Sequence, residues 1–120
     1  MSSIIVCGGR DFVDYPHLEE RINAFRNYIK QLHNHEVSLI IHGGARGADS
    51  LAQDYAVNYN IPYQMFPAHW NAYGKAAGFR RNEEMLRQNP SYVIGFYGGR
   101  GTAHMINISM KQGVPTFHIK

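Results

Sequence analysis

The stretch that decides the fold is residues 38–52, SLIIHGGARGADSLA, in which an apolar run is followed by two glycines and then by a helix-like segment. The same arrangement occurs twice more, in residues 4–12 (IIVCGGRDF) and residues 93–102 (VIGFYGGRGT). We call the three glycine pairs the first loop (Gly8-Gly9), the second loop (Gly43-Gly44) and the third loop (Gly98-Gly99). An arginine follows each pair within two residues. Three such loops require a common explanation.

Strand-like and helix-like segments alternate along the whole chain. Strands are predicted over residues 3–7, 37–42, 62–66, 92–97 and 115–118, and helices over residues 16–33, 48–59, 79–88 and 102–112. The first helix is indicated by an apolar stripe at three- and four-residue spacing, formed by Leu18, Ile22, Phe25, Ile29 and Leu32. Residues 67–78 are predicted to form a long loop. This order predicts an α/β fold, a single Rossmann-like three-layer domain over residues 1–120 with a mainly parallel five-stranded sheet.

The three glycine loops are expected to meet, because strand-to-helix loops of a parallel sheet all lie at its carboxyl edge. Five of the eight arginines follow these strands, at Arg10, Arg46, Arg80, Arg81 and Arg100. Glycine lets backbone N–H groups approach an anion, and arginine adds bidentate hydrogen bonds. For one loop, a tight turn with positive φ explains the glycines equally well. Three loops with arginines favour an anion-binding rim.

The composition narrows the function classes. A formal charge of +3 and a pI of about 9.1 permit anionic ligands, but they are too mild to argue for duplex DNA by themselves. A single cysteine, Cys7, excludes an internal disulfide and is expected to be a buried thiol in the first strand. No apolar stretch approaches the ~20 residues that span a bilayer, and no signal peptide is indicated, so a cytoplasmic location is expected. Neither G-x-x-x-x-G-K-[ST] nor a G-x-G-x-x-G after the first strand occurs.

Four blocks of sequence resemble a known group of proteins. IIVCGGRDF, HGGARGAD, FPAHW…GKAAGFRRNEEM and GFYGGRGTAHM together resemble the SLOG superfamily of Rossmann-like nucleotide-binding domains, and within it the YspA or cpYpsA-related branch. The resemblance covers nearly the whole chain and implies binding of a nucleotide or nucleotide-derived phosphate ligand, as a sensor or as a sequestering domain. Relatives in the superfamily include the Lonely Guy phosphoribohydrolases and the DNA-processing protein DprA.

The chain departs from the Lonely Guy pattern at two positions. The GGxGTxxE motif has Met105 in place of its glutamate, and the RKxxM motif retains Arg81 but has Asn82 in place of its lysine. Glycosidic cleavage needs a carboxylate, which methionine cannot replace. The resemblance therefore favours a binding domain, and leaves a phosphoribohydrolase with a non-standard carboxylate, Asp49, as the alternative.

Two further expectations follow from the relatives. Lonely Guy proteins build their sites at a dimer interface, which implies a homo-oligomer. DprA binds single strands, which makes single-stranded nucleic acid a further alternative ligand, although no long basic stripe is present outside the rim.

The predicted ligand-binding residues come from the loops and their neighbours. They are Gly8, Gly9, Arg10, Gly43, Gly44, Arg46, Asp49, Trp70, Arg81, Asn82, Gly98, Gly99, Arg100, Gly101 and Thr102. Asp49 is interpreted as a partner of a helix dipole, as an acceptor for ribose hydroxyls or as an ion-pair partner that orients Arg46. Thr102 is predicted to cap its helix. Trp70 either stacks on a base or packs its own loop down.

The remaining polar residues give weaker predictions. His42 and His104 lie where either could touch a ligand, whereas His33 and His35 do not have a zinc-binding spacing. No metal and no cofactor are expected. Two neighbouring glutamates, Glu83 and Glu84, are interpreted as solvated or as paired with Arg80 and Arg87.

Overall fold

The computed structural model describes residues 2–120 and has five strands and five α-helices within them. The strands are β1 (Ser2–Cys7), β2 (Val37–His42), β3 (Tyr63–Met65), β4 (Tyr92–Gly95) and β5 (Thr116–His118). The helices are α1 (Tyr15–His33), α2 (Ala48–Asn58), α3 (Trp70–Tyr73), α4 (Ala77–Leu86) and α5 (Arg100–Lys111), with a 3₁₀ turn at Gly74–Ala76. Every predicted strand is present, with bounds within two residues of those expected.

The five strands form one parallel sheet in the order β3-β2-β1-β4-β5. The predicted α/β, Rossmann-like fold is therefore confirmed. The strands β2 and β3 follow one another on one side of β1, and the chain then returns so that β4 pairs with the other side of β1. The connections that leave β1 and β4 consequently diverge, and they open a crevice at the carboxyl edge between these two strands.

Helices cover both faces of the sheet, which explains why the central strands are continuously apolar. Ile4 and Val6 of β1 pack with α1 and α2 on one face. Ile5 and Cys7 pack with α4 and α5 on the other face, where they meet Met105. The expected burial of the Cys7 thiol is confirmed, with 7% of the residue exposed.

Two expectations about the helices were wrong. Leu32 was placed in the buried stripe of α1 but is 60% exposed, because Ile29 is the last residue of α1 that is buried against the core. Residues 67–78 were expected to be a loop, yet they contain α3, the 3₁₀ turn and the first two residues of α4. The missed α3 is only four residues long and buries none of them, so it leaves no apolar periodicity in the sequence.

Within residues 2–120, the longest helix is α1, and neither it nor any other helix is both long and apolar enough to cross a bilayer.

Candidate functional site

The three glycine loops meet at the carboxyl edge, with the first loop between the other two. The Gly9 amide donates to the Tyr97 carbonyl at 2.9 Å, and the Ala48 amide at the start of α2 donates to the Gly9 carbonyl at 3.1 Å. Backbone hydrogen bonds therefore connect Gly9 to the loops that follow both β2 and β4.

Close packing explains the glycines of the first loop. A Cβ atom on Gly9 would lie 3.0 Å from the Gly98 Cα and 3.1 Å from the Tyr97 carbonyl oxygen. A Cβ atom on Gly8 would lie 2.6 Å from the Cβ of Ala48. Side chains at these positions would push the three loops apart.

The second loop needs its glycines for different reasons. A Cβ atom on Gly43 would collide with the guanidinium group of Arg81. Gly44 has a φ of +74°, in the left-handed region that glycine adopts without strain. Gly47 was not among the predicted site residues. It has a φ of +81° and lies against the carbonyl oxygens of Gly9 and Arg10.

Packing does not explain Gly99 and Gly101. Apart from its chain neighbours and the backbone of its own helix, a Cβ atom at either position would find no atom of residues 2–120 within 4 Å, and neither residue has a positive φ. Gly99 is the N-cap of α5, and no side chain of the described part of the chain caps this twelve-residue helix. The first-turn N–H groups of α5 therefore lack partners within the helix and receive no side-chain cap from the described residues.

The predicted cap of this helix was wrong. Thr102 lies in the first turn of α5, two residues after its start, and is 6% exposed. Its hydroxyl oxygen occupies the space that a side chain on Gly98 would need. Thr102 therefore packs the third loop against the helix, and the N-cap position belongs to Gly99.

A cleft of about 540 Å³ opens where α5 begins. The predicted site residues that line it are Gly8, Gly9, Arg10, Asp49, Trp70, Arg81, Asn82, Gly99, Arg100, Gly101 and Thr102. We call this cavity the main cleft. It lies at the carboxyl ends of β1 and β4, where the sheet topology places a crevice.

A second cavity of about 360 Å³ adjoins the main cleft, and we call it the side cavity. Its lining contains Gly43, Gly44 and Arg46, together with Arg10, Trp70 and Arg81 from the wall shared with the main cleft. Gly98 lines neither cavity, because it packs against Gly9.

Arg81 is held in place by two hydrogen bonds. Its Nη1 donates to the Gly43 carbonyl at 2.5 Å, and its Nε donates to the Asn82 side-chain oxygen at 3.1 Å. Burial lowers the pKa of Arg81, as does the neighbouring charge of Arg10, while Asp49 raises it. The guanidinium remains charged at neutral pH, since arginine titrates far above it.

Asp49 is a buried carboxyl group in the lining of the main cleft, with 6% of the residue exposed. Its Oδ2 accepts a hydrogen bond from the Ala45 amide at 3.2 Å. Burial raises the pKa of Asp49 to about 6, against the lowering effects of the Ala45 hydrogen bond, Arg81 and Arg10. The cleft therefore contains a carboxyl group that titrates close to neutral pH.

Of the three interpretations of Asp49, the ion pair with Arg46 was wrong. Arg46 instead lies 3.9 Å from Asp11, and the two side chains are 77% and 97% exposed. Asp49 is turned inward because it lies in the first turn of α2, on the buried side of that helix. The charges that act on it are those of Arg81 and Arg10.

Asn82 connects α4 to the start of α5. Its Nδ2 lies 3.0 Å from the Gly101 carbonyl, to which it donates, and 3.1 Å from the His104 Nδ1. Only 3% of Asn82 is exposed. The residue that replaces the Lonely Guy lysine thus helps to position the N-terminal turn of α5.

The aromatic residues of the cleft are partly exposed. Trp70 is 48% exposed, and the Arg10 guanidinium lies 5.5 Å from its ring centroid. Phe79 is 43% exposed and stacks on His104 with a centroid distance of 4.2 Å. Sequence reasoning missed two lining residues, Phe79 at the start of the helix predicted over residues 79–88 and Lys75 in the segment assigned to a loop. The available signal of a shared helix face was a three- and four-residue spacing among residues that share this lining, Gly78, Arg81, Asn82 and Met85.

Other predicted neighbours lie elsewhere. Arg80 packs over the Tyr73 ring at 4.4 Å and lines neither the main cleft nor the side cavity. Ion pairs within 4 Å among residues 2–120 include none for Glu83 or Glu84. Across the same residues, no three His, Cys, Asp or Glu side chains form a group that could hold a metal ion.

His42 organises the second loop from within the core. Its Nδ1 accepts the Gly44 amide proton at 3.0 Å, and its Nε2 lies 3.0 Å from the Gln53 side-chain oxygen. These contacts require a neutral ring with the proton on Nε2. Burial lowers the pKa of His42, which favours this neutral form.

Comparisons with known proteins identify a family and a relative of this chain. Residues 2–73, which include the first and second loops, match the family described as YspA, cpYpsA-related SLOG. The chain is 31% identical over 126 residues to the Gene 61 protein of Mycobacterium phage D29, an alignment that covers 98% of this chain and 96% of that protein. No solved structure gives a significant match.

Proposed function

We propose that this chain, which belongs to the YspA, cpYpsA-related SLOG family, binds a phosphate-bearing nucleotide or nucleotide derivative in the main cleft. The family is consistent with nucleotide-related ligands in general. The phosphate would lie at the N-terminus of α5, and the nucleoside would extend along the cleft towards Trp70 and Phe79. The protein would act as a sensor or as a sequestering domain.

The observation that carries the proposal is the open N-terminus of α5. Gly99 and Gly101 are not required by packing or by φ, and both line the cleft at the start of α5, whose first-turn N–H groups receive no side-chain cap from residues 2–120. A helix N-terminus favours an anion through these N–H groups and through its partial positive charge. Arg100 lies in the same turn and adds a guanidinium group to the lining.

The charges and shape of the main cleft support the same ligand. Four cationic side chains line it, those of Arg10, Lys75, Arg81 and Arg100, against two carboxyl groups. Its volume of about 540 Å³ falls in the range of about 300–1,000 Å³ that is typical of small-molecule sites. The half-exposed rings of Trp70 and Phe79 offer surfaces on which a base can stack.

The test is titration calorimetry with AMP, ADP-ribose, NAD and cyclic nucleotides, on the wild type and on Arg100→Gln. Loss of one charge-assisted phosphate contact is expected to weaken binding by roughly 10- to 100-fold, from about 1.5–3 kcal/mol per contact. Arg87→Gln is the matched control, because Arg87 is exposed at the end of α4 and lines neither cavity. Failure of every ligand to bind the wild type would refute the proposal, and so would equal weakening by both substitutions.

Hydrolysis of a nucleotide N-glycosidic bond is the second candidate function, and the burial of Asp49 in the cleft favours it. Met105 is fully buried in the core, so the position of the Lonely Guy glutamate contributes nothing to the cleft. A carboxylate at Asp49 would activate a water molecule for attack on C1′ while the base departs. Chromatography of nucleotide incubations decides this point. Release of free base that is lost in Asp49→Asn supports hydrolysis, and intact nucleotide after prolonged incubation excludes it.

A further inference from the structure

We propose that the side cavity is a second anion subsite, so that the ligand carries two separated phosphate groups, one in each cavity. This inference rests on the proposed function and specifies its ligand class. The ligands that fit are nucleoside bisphosphates with phosphates at opposite ends of the ribose, and dinucleotides with a terminal phosphate.

The two cavities form one continuous site with a shared wall. Arg10, Ala45, Trp70 and Arg81 line both of them. The guanidinium of Arg10 and the ring of Trp70 lie 5.5 Å apart within this wall. A ligand that extends from one cavity into the other would therefore contact the Trp70 ring and the guanidinium groups of Arg10 and Arg81 between its two ends.

The charge of the side cavity is the main argument. Three of its nine lining residues are arginines, Arg10, Arg46 and Arg81, and no carboxylate is among the nine. Asp11, the nearest acidic partner of Arg46, is 3.9 Å away and 97% exposed. An exposed ion pair of this kind stabilises a folded chain only slightly. The buried Asp49 acts on Arg10 and Arg81 from the main cleft, but no carboxylate of the described residues lines the side cavity itself. The excess of positive charge in this lining favours an anion in the cavity.

Arg81 is arranged to serve both cavities. Hydrogen bonds within residues 2–120 occupy its Nη1 and Nε, which leaves Nη2 for a ligand. The bond to the Gly43 carbonyl places the guanidinium against the second loop, where only a glycine gives it room. Because both contacts hold the planar group, a ligand would meet a pre-organised donor and lose less entropy on binding.

Each cavity has an arginine that the other lacks. Arg100 lines only the main cleft and Arg46 lines only the side cavity, so phosphates bound beside these two arginines would occupy separate cavities that share a wall. A nucleoside bisphosphate has a ribose between its phosphates, whereas the phosphates of ADP are adjacent. ADP therefore tests whether the two cavities need a spacer between the phosphate groups.

The experiment compares AMP, ADP and adenosine 3′,5′-bisphosphate by calorimetry on the wild type, Arg46→Gln and Arg100→Gln. We expect the bisphosphate to bind about 10-fold more tightly than AMP or ADP, from one added charge-assisted contact. Arg46→Gln should abolish this advantage while leaving the affinity for AMP within about twofold. Arg100→Gln should weaken all three ligands. A terminally phosphorylated dinucleotide, pApA, tests the longer spacing in the same way.

The outcomes separate the two proposals. If AMP binds and Arg100→Gln weakens it, but neither the bisphosphate nor pApA gains affinity, the side cavity is not an anion subsite and the proposed function stands. Equal weakening of AMP and the bisphosphate by Arg46→Gln also overturns the inference. If no nucleotide binds, both proposals fail. Arg87→Gln controls for the loss of one positive charge, and thermal unfolding of Arg46→Gln should match the wild type because the Arg46 side chain is 77% exposed.

Discussion

Replacing the buried Asp49 with asparagine should stabilise the protein at neutral pH. Burial raises the pKa of Asp49 from its ordinary value of 3.8 to about 6. A difference of about two pH units corresponds to about 3 kcal/mol. Asparagine has no charge to bury, and its side-chain oxygen can still accept the hydrogen bond from the Ala45 amide.

The effect must depend on pH in one direction. A carboxyl group whose pKa is higher in the folded chain holds its proton more tightly there than in the unfolded chain. The destabilisation by Asp49 is therefore absent below pH 4 or so, grows as the pH rises through 3.8 to about 6, and is complete above that range. Asp49→Asn should gain about 3 kcal/mol at pH 7.5 and close to nothing at about pH 4.

Urea unfolding at half-unit pH intervals from 4 to 8 measures this difference directly. Asp54→Asn is the matched control, because Asp54 lies on the same helix and is exposed. Its free energy of unfolding should follow the wild type closely at every pH. A stability difference for Asp49→Asn that does not change with pH would refute the reasoning, as would an Asp49→Asn protein that is less stable than the wild type at pH 7.5.

Three further predictions concern the loops and the core. Gly9→Ala should lower the free energy of unfolding by about 1–3 kcal/mol, because the added methyl group would crowd the other loops. Gly101→Ala, in a helix with room for a side chain, should leave the free energy of unfolding unchanged or raise it by up to about 1 kcal/mol. Equal losses of stability in urea unfolding would contradict the packing argument. Nitrogen-15 NMR should find neutral His42 protonated on Nε2, and a proton on Nδ1 would exclude the hydrogen bond from Gly44. Because burial raises the pKa of the Cys7 thiol to about 12, iodoacetamide should alkylate the folded chain at least about 100-fold more slowly than the urea-unfolded chain, and fast labelling would show that the thiol is accessible.

The fold was predictable because its strong signals agree with one another. Apolar runs of four to six residues mark the central strands, and the three-to-four spacing of Leu18, Ile22 and Ile29 marks α1. The parallel sheet then determines which ends of the strands share an edge, so that the meeting of the three loops follows from topology. Elements without a buried face, such as α3, leave no comparable signal.

The site was less predictable, because side-chain direction depends on packing between distant segments. Asp49 lies three residues after Arg46, and an ion pair between them was a reasonable interpretation of the sequence. The structure turns Asp49 towards the core and leaves Arg46 beside Asp11. The partner of the second loop, Arg81, is 38 residues away from Gly43, and no local pattern links the two.

The three glycine pairs look alike in the sequence, yet the structure requires them for three different reasons. The first pair allows the loops to touch, and the second leaves room for the Arg81 guanidinium against the backbone. In the third pair the two glycines differ, because Gly98 is packed against its neighbours and Gly99 is not. Glycines required by packing would be kept in a protein with no ligand at all. Open glycines beside an uncapped helix are not needed for folding, and replacing Gly101 with a better helix former should even stabilise α5. A glycine that lowers stability and relieves no steric clash is best explained by a ligand that binds in the cleft. The third loop is therefore the part of the rim on which the proposal of a bound phosphate chiefly depends.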